Sequence, residues 1–84
     1  MRNKSQEDIR EIKIDKIRPN YRLIYEETAI LALCDDILCR GIQEPIVVER
    51  VANWFRIVDG EKRWRACKKL GLVKVKVRII EAAE

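Results

Sequence analysis

Gly60, Glu61, Lys62 and Arg63 form the most chemically loaded stretch of the sequence. They stand where a strand-like run, Trp54 to Val58, gives way to a helical one, Gly60 to Leu70, with Asp59 or Gly60 as its N-cap and Gly71 as its stop. The first backbone N–H groups of a helix lack intrahelical acceptors, and a glycine lets backbone approach a ligand, so the N–H groups of Glu61, Lys62 and Arg63 can converge on an anion. At 100° per residue Arg63 falls on the same side as Trp64, Cys67 and Leu70, the apolar side of this helix. A guanidinium turned toward a core needs a carboxylate (Asp15, Asp59 or Glu44), buried carbonyls or a bound anion, because an unpaired buried charge is too costly. The helix dipole adds only about 0.3–1 kcal/mol, so Arg63 and the backbone donors would supply most of the binding.

Other chemistries are closed by composition. The chain has no histidine, which removes Ser/His/Asp and Cys/His nucleophile systems, histidine bases and mixed zinc sites. Cys34, Cys39 and Cys67 include no CxxC pair and read as small buried apolar residues in a reducing compartment. The carboxylates that could hold magnesium or take a proton are Glu26, Glu27, Asp59 and Glu61. Asp59 and Glu61 also fit an ordinary helix start, and on helical spacing Glu61 faces solvent more than core. No catalytic set and no metal site emerges.

The charge is unevenly placed. Lys and Arg number 18 against 14 Asp and Glu, a net +4, yet residues 60–80 hold eight cations against Glu61 alone. Lys62, Arg65 and Lys69 on the helix, with Lys74, Lys76 and Arg78 on the following strand, would make a patch suited to nucleic-acid phosphates. The alternative is a solvated helix and an edge strand that its lysines protect from aggregation.

The elements that must position these groups follow from periodicity. Residues 1–10 read as a flexible polar arm without a signal peptide, and residues 11–84 as a single domain. Glu11 to Ile17 alternates as a strand until Pro19 and Asn20 break it. From about Glu26, Ile30, Leu33, Cys34, Ile37 and Leu38 recur at helical spacing up to Gly41, a left-handed stop. Pro45 to Val51 and Trp54 to Val58 read as two strands joined by a turn at Ala52 and Asn53. In the last strand Val73, Val75, Val77 and Ile79 alternate with the cationic residues. The order β, α, β, β, α, β predicts an α+β domain: a small mixed sheet of about four strands packed with two main helices. No segment is long and apolar enough to span a bilayer, and the expected location is the cytoplasm.

The run Gly60, Glu61, Lys62, Arg63, Trp64, Arg65, Ala66 resembles the Gly-Glu-Arg-Arg-x-Arg-Ala box of ParB-type partition proteins, with Lys62 as the one change. Gly41 to Val48 resembles the family's Gly-(apolar)-(apolar)-Gln-Pro-Ile-x-Val segment, with a one-residue variation around Glu44. Ile12 to Ile17 with Pro19 resembles its opening strand, and Leu70, Gly71, Leu72 and the final strand its close, so the likeness spans residues 11–80.

The resemblance implies a ParB/sulfiredoxin fold and a stand-alone N-terminal domain that binds nucleotide, CTP or ATP with magnesium, or nucleic-acid phosphates. It further implies association with DNA in partition or regulation, in the cytoplasm or on the nucleoid. Gly60 would bring backbone to the phosphates, Glu61, Lys62 and Arg63 would form the helix N-terminus with Arg63 as clamp, and Arg65 and Arg22 would be further phosphate partners. Gln43, Pro45 and Ile46 would lie beside the base or sugar.

The departures limit this. A second phosphate and magnesium motif, a helix-turn-helix and a dimerisation segment follow this domain in ParB proteins and lie outside the 84 residues, so a complete CTP-hydrolysing clamp is not expected. Sulfiredoxins carry a Cys-His pair where Glu61 and Lys62 stand, which argues against sulfinic acid repair. The related free-serine kinases carry histidines in the box and a catalytic glutamate near the first loop, a place that Glu26 or Glu27 alone could fill. The alternatives are a phosphotransferase or nuclease of the superfamily, and a regulatory domain or homodimer whose basic face meets an acidic protein through Tyr25, Trp54 or Phe55.

Overall fold

The structure, a computed structural model, describes residues 8–20 and 26–81. Its elements are β1 (Asp8–Lys13), a 3-10 turn (Ile14–Lys16), β2 (Ile17–Arg18), α1 (Glu27–Arg40), β3 (Ile46–Val51), β4 (Trp54–Asp59), α2 (Glu61–Lys69) and β5 (Lys74–Ile80). They form one five-stranded sheet in the order β1-β5-β3-β4-β2. β1 with β5 and β3 with β4 are antiparallel, while β5 with β3 and β4 with β2 are parallel.

Two strands occupy the place of the single expected opening strand. Ile14 and Ile17 are both buried, at 6% and 3% exposure, yet they are three residues apart, a spacing that a strand would send to opposite faces. One 3-10 turn restores them to the same side and carries the chain from one edge of the sheet to the other. β1 also begins earlier than expected, at Asp8, so Asp8 to Arg10 belong to the sheet and only residues 1–7 of the expected arm lie outside the described residues.

A single core joins sheet and helices. Ile46 and Val48 of β3, Phe55 and Ile57 of β4, and Val75 and Val77 of β5 pack with Ile30, Cys34 and Ile37 of α1 and with Trp64, Ala66 and Cys67 of α2. Leu38 was expected among them and is 70% exposed. It sits about 80° around the helix from Ile30, at the margin of the buried arc. Val73 precedes β5 and is exposed, while its carbonyl accepts the Ile14 N–H at 2.8 Å. Gly41 ends α1 at φ 74°, its N–H bonded to the Ile37 carbonyl at 2.7 Å.

Of the three cysteines expected to be buried, Cys34 and Cys67 are and Cys39 is exposed, and the burial of Cys67 has a measurable consequence. Its thiol is fully covered, and burial, reinforced by Cys34, pushes its pKa up to about 11 from an ordinary 9.0, against a smaller opposing pull from Arg63. Between those values the unfolded chain has lost a proton that the folded chain keeps, so stability declines as pH rises through that window. The urea midpoint is expected to fall from pH 9 to pH 11, and to fall less in Cys67→Ala when each protein is referred to its own value at pH 8. Equal declines in the two proteins would remove Cys67 as the cause.

Candidate functional site

β4 delivers the chain to Gly60, which turns it into α2 at φ 101°, ψ 26°, a left-handed conformation that glycine adopts without strain. No side chain caps the helix, and its first intrahelical bond runs from the Trp64 N–H to the Gly60 carbonyl at 2.9 Å. The junction opens into a cleft of about 500 Å³ between Asp59–Arg63 and the α1 residues Ala29, Ala32, Leu33 and Asp36. Two alanines three apart keep that side of α1 low, which makes the space.

Arg63 turns inward, as its position on the helix required. Its side chain is 23% exposed and lies over Gly60, where a Cβ would stand 3.0 Å from Nη2. Of the carboxylates considered for it, Glu44 is the neighbour, 3.6 Å from Nη1, and Nη2 donates a long 3.5 Å bond to the Pro45 carbonyl. Nε is covered and has no acceptor. A guanidinium with five N–H donors is thus held by one marginal hydrogen bond and one loose ion pair, which leaves it rich in donor capacity facing the cleft.

Glu61 departs from expectation. It is 8% exposed, and its carboxylate is fully engaged: Oε1 accepts the Asn20 N–H at 3.2 Å, and Oε2 accepts Arg65 Nη2 at 2.8 Å and Nε at 3.2 Å. Helical spacing sees only the helix itself, whereas Glu61 also ties Asn20, two residues beyond β2, to α2. Glu61 therefore offers the cleft its backbone, and its side chain serves the fold.

The predicted cations separate. Lys62 and Arg63 line the cleft. Arg65 and Lys69 lie along a second cleft with Glu27, Ile30, Trp64 and Lys68. There Lys69 pairs with Glu27 at 2.6 Å, a hydrogen bond and charge that raise its pKa, and Lys68 stacks over the Trp64 ring at 5.1 Å. Val75 and Val77 face the helices, so strand alternation turns Lys74, Lys76 and Arg78 to the opposite face of the sheet. One continuous patch with the helix cations is not formed. On that far face Lys76 lies opposite Glu11 and Lys74 opposite Lys13.

Gln43 Nε2 donates to the Arg40 carbonyl at 2.6 Å and so caps the end of α1, and Pro45 enters through its carbonyl alone. Arg22 and Tyr25 lie outside the described residues. Phe55 is buried with Arg50 over its ring at 5.0 Å, and Trp54 is half-buried beneath Arg18 at 5.4 Å. Of the four carboxylates considered for chemistry, Asp59 and Glu61 line the cleft, Glu27 is paired with Lys69, and Glu26 stands at the N-cap of α1. Among the described residues no three His, Cys, Asp or Glu side chains group to hold a metal. The α1 wall was missed by sequence reasoning, and its only signal was the Ala29, Ala32 pair inside an amphipathic pattern.

This geometry has counterparts. The family model of the ParB N-terminal domain matches residues 1–84. The chain belongs to the ParB N-terminal domain family. A probable chromosome-partitioning protein ParB of Rickettsia felis is 45% identical over 76 residues, covering 87% of this chain and 26% of that protein. The chain spans about a quarter of the length of the curated ParB relatives it matches. Among solved structures, truncated ParB of Caulobacter crescentus complexed with CTP-γ-S matches with a TM-score of 0.80 and 30% identity over 90% of this chain and 46% of that one. The same protein complexed to the centromeric parS site also matches, at 0.78. Sulfiredoxin of Arabidopsis thaliana matches at 0.79, with 29% identity over 88% of this chain and 85% of its own. A mutant free serine kinase in complex with AMP matches at 0.74, with 28% identity over 87% and 31%. The α+β ParB/sulfiredoxin fold expected of the sequence is the fold found, with five strands in the sheet.

Proposed function

We propose that this ParB N-terminal domain binds a nucleoside triphosphate, CTP or ATP, at the β4–α2 junction and works in association with DNA in partition or regulation, in the cytoplasm or on the nucleoid. The observation that carries the reading is Arg63 folded over Gly60 at an uncapped helix N-terminus, with covered Nε unpartnered and a cleft of about 500 Å³ in front. That volume lies within the range of small-ligand sites, roughly 300–1,000 Å³. The backbone N–H groups of Glu61, Lys62 and Arg63 donate to phosphate oxygens, Arg63 supplies Nη1 and Nη2, and Lys62 adds charge at the rim. The low wall at Ala29 and Ala32 leaves room for the sugar and base. Magnesium arriving with the nucleotide would be held chiefly by phosphate oxygens and water and would supply neutralisation of phosphate charge, since no group of three carboxylate, cysteine or histidine side chains among the described residues could hold it. The CTP-γ-S and AMP complexes of structural relatives support a nucleotide here, and the parS complex supports a DNA partner.

Titration with CTP, ATP and GTP, followed by amide NMR, tests the site. Shifts concentrated at Gly60, Glu61, Lys62 and Arg63 are expected, and a titration that leaves those four amides in place would remove the nucleotide reading. Duplex DNA tests the far face of the sheet. If Lys74 and Lys76 each neutralise a phosphate, Lys74→Ala with Lys76→Ala reduces the salt slope of binding by roughly 2 × 0.9. An unchanged slope would take the DNA contact away from β5.

A further inference from the structure

Glu44, an exposed residue just ahead of β3, reaches the Arg63 guanidinium that lines the cleft. Its carboxylate stands 3.6 Å from Nη1, longer than the roughly 2.7–2.9 Å of a charge-assisted hydrogen bond, and its side chain is 78% exposed. An exposed pair at that distance holds weakly and is released at little cost. The backbone beneath it is firm: Pro45 restricts the residue before it to extended conformations, and the Pro45 carbonyl itself touches Arg63 Nη2. β3 starts one residue later, at the fully buried Ile46. Glu44 is therefore aimed at Arg63 from a fixed base with a side chain free to swing away.

We infer that Glu44 is a built-in stand-in for the ligand's anion, occupying Arg63 in the free protein and opposing the ligand in proportion to its charge. The inference rests on the reading of the cleft as a phosphate site. A phosphate that reaches Nη1 and Nη2 must displace the carboxylate or share the guanidinium with it, and two anions within a few ångströms repel. The opposition is electrostatic, so it grows from a monophosphate to a triphosphate and is indifferent to the base.

The experiment is calorimetric titration of the wild type and Glu44→Gln at fixed low ionic strength with CMP, CTP and inorganic tripolyphosphate. Glu44→Gln is expected to bind CTP and tripolyphosphate about three- to tenfold more tightly, and CMP with a smaller gain. Its thermal midpoint should match the wild type, since the side chain is exposed. Unchanged or weaker binding in Glu44→Gln overturns the inference, as does an equal gain for CMP and CTP. Tripolyphosphate bound and tightened without any binding of CTP would remove the nucleotide reading and leave this role of Glu44 standing. CTP bound equally by both proteins would do the reverse, and no binding of any ligand by either protein overturns both.

Discussion

Arg63→Ala is expected to weaken binding of a nucleoside triphosphate by about a hundredfold or more while leaving the stability of the fold within about 1 kcal/mol of the wild type. Two hydrogen bonds from a guanidinium to phosphate are worth about 1.5–3 kcal/mol each, and 1.4 kcal/mol is a factor of ten in affinity. The free protein has little to lose, because Nε lacks an acceptor, the bond to the Pro45 carbonyl is at the limit of its range and Glu44 is exposed. The packing of the guanidinium over Gly60 accounts for the remaining small effect. Arg63→Lys restores the charge without the fork and should recover only part of the affinity. Calorimetry paired with urea unfolding checks both halves. A variant that unfolds readily but binds normally while folded would make Arg63 a structural residue.

The largest loss of stability is expected from Ile46→Ala. Ile46 has no exposed surface, lies on the inner strand β3 between β5 and β4, and pairs in register with Val77. Deleting that much of a buried side chain costs about 2–5 kcal/mol, set against roughly 4–13 kcal/mol for a domain of this length at 0.05–0.15 kcal/mol per residue. The loss is therefore a large share of the whole stability, whereas Ile46→Val should lose only about 0.5–1.5 kcal/mol. Urea denaturation measures both. Ile46 also fixes where β3 begins, and with it the Pro45 carbonyl beside Arg63. A loss for Ile46→Ala below about 1 kcal/mol would mean that the core closes over the missing atoms and that the start of β3 is less firmly held than its burial implies.

The parts of this protein that were legible beforehand are those set by one periodic element. The alternation of β5, the two helices and the inward turn of Arg63 all follow from spacing within a single segment. What escaped depends on contacts between segments. β2 is two residues long and exists because β4 offers it a parallel partner, which no pattern in Ile17 and Arg18 reveals. The Glu61 carboxylate accepts from the Asn20 N–H and from Arg65, the first of which is 41 residues away in sequence. Gln43 is spent on the end of α1 because Gly41 turns the chain back past its last carbonyls. Lys74, Lys76 and Arg78 were read as neighbours of the helix cations, and the sheet itself came between them. The site shows the same division: the local pair Gly60 and Arg63 could be read directly, whereas Glu44 was one of three candidate partners until the start of β3 placed it.

The pairing of Asp8 with Ile79 sets the order in which this domain is able to form. β5 is the last strand described, it is the strand that pairs with β1, and it also separates β1 from β3. On a growing chain the β3–β4 hairpin and both helices are complete while β1 still waits for a partner across nearly the whole sequence. Loop closure of that span has to precede any reward from the contact, so contact order is high and folding is expected to be slow for so small a domain. During the wait β1 presents a free edge that accepts the β5 of another molecule as well as its own, which makes strand exchange between copies the characteristic misfolding route of this topology.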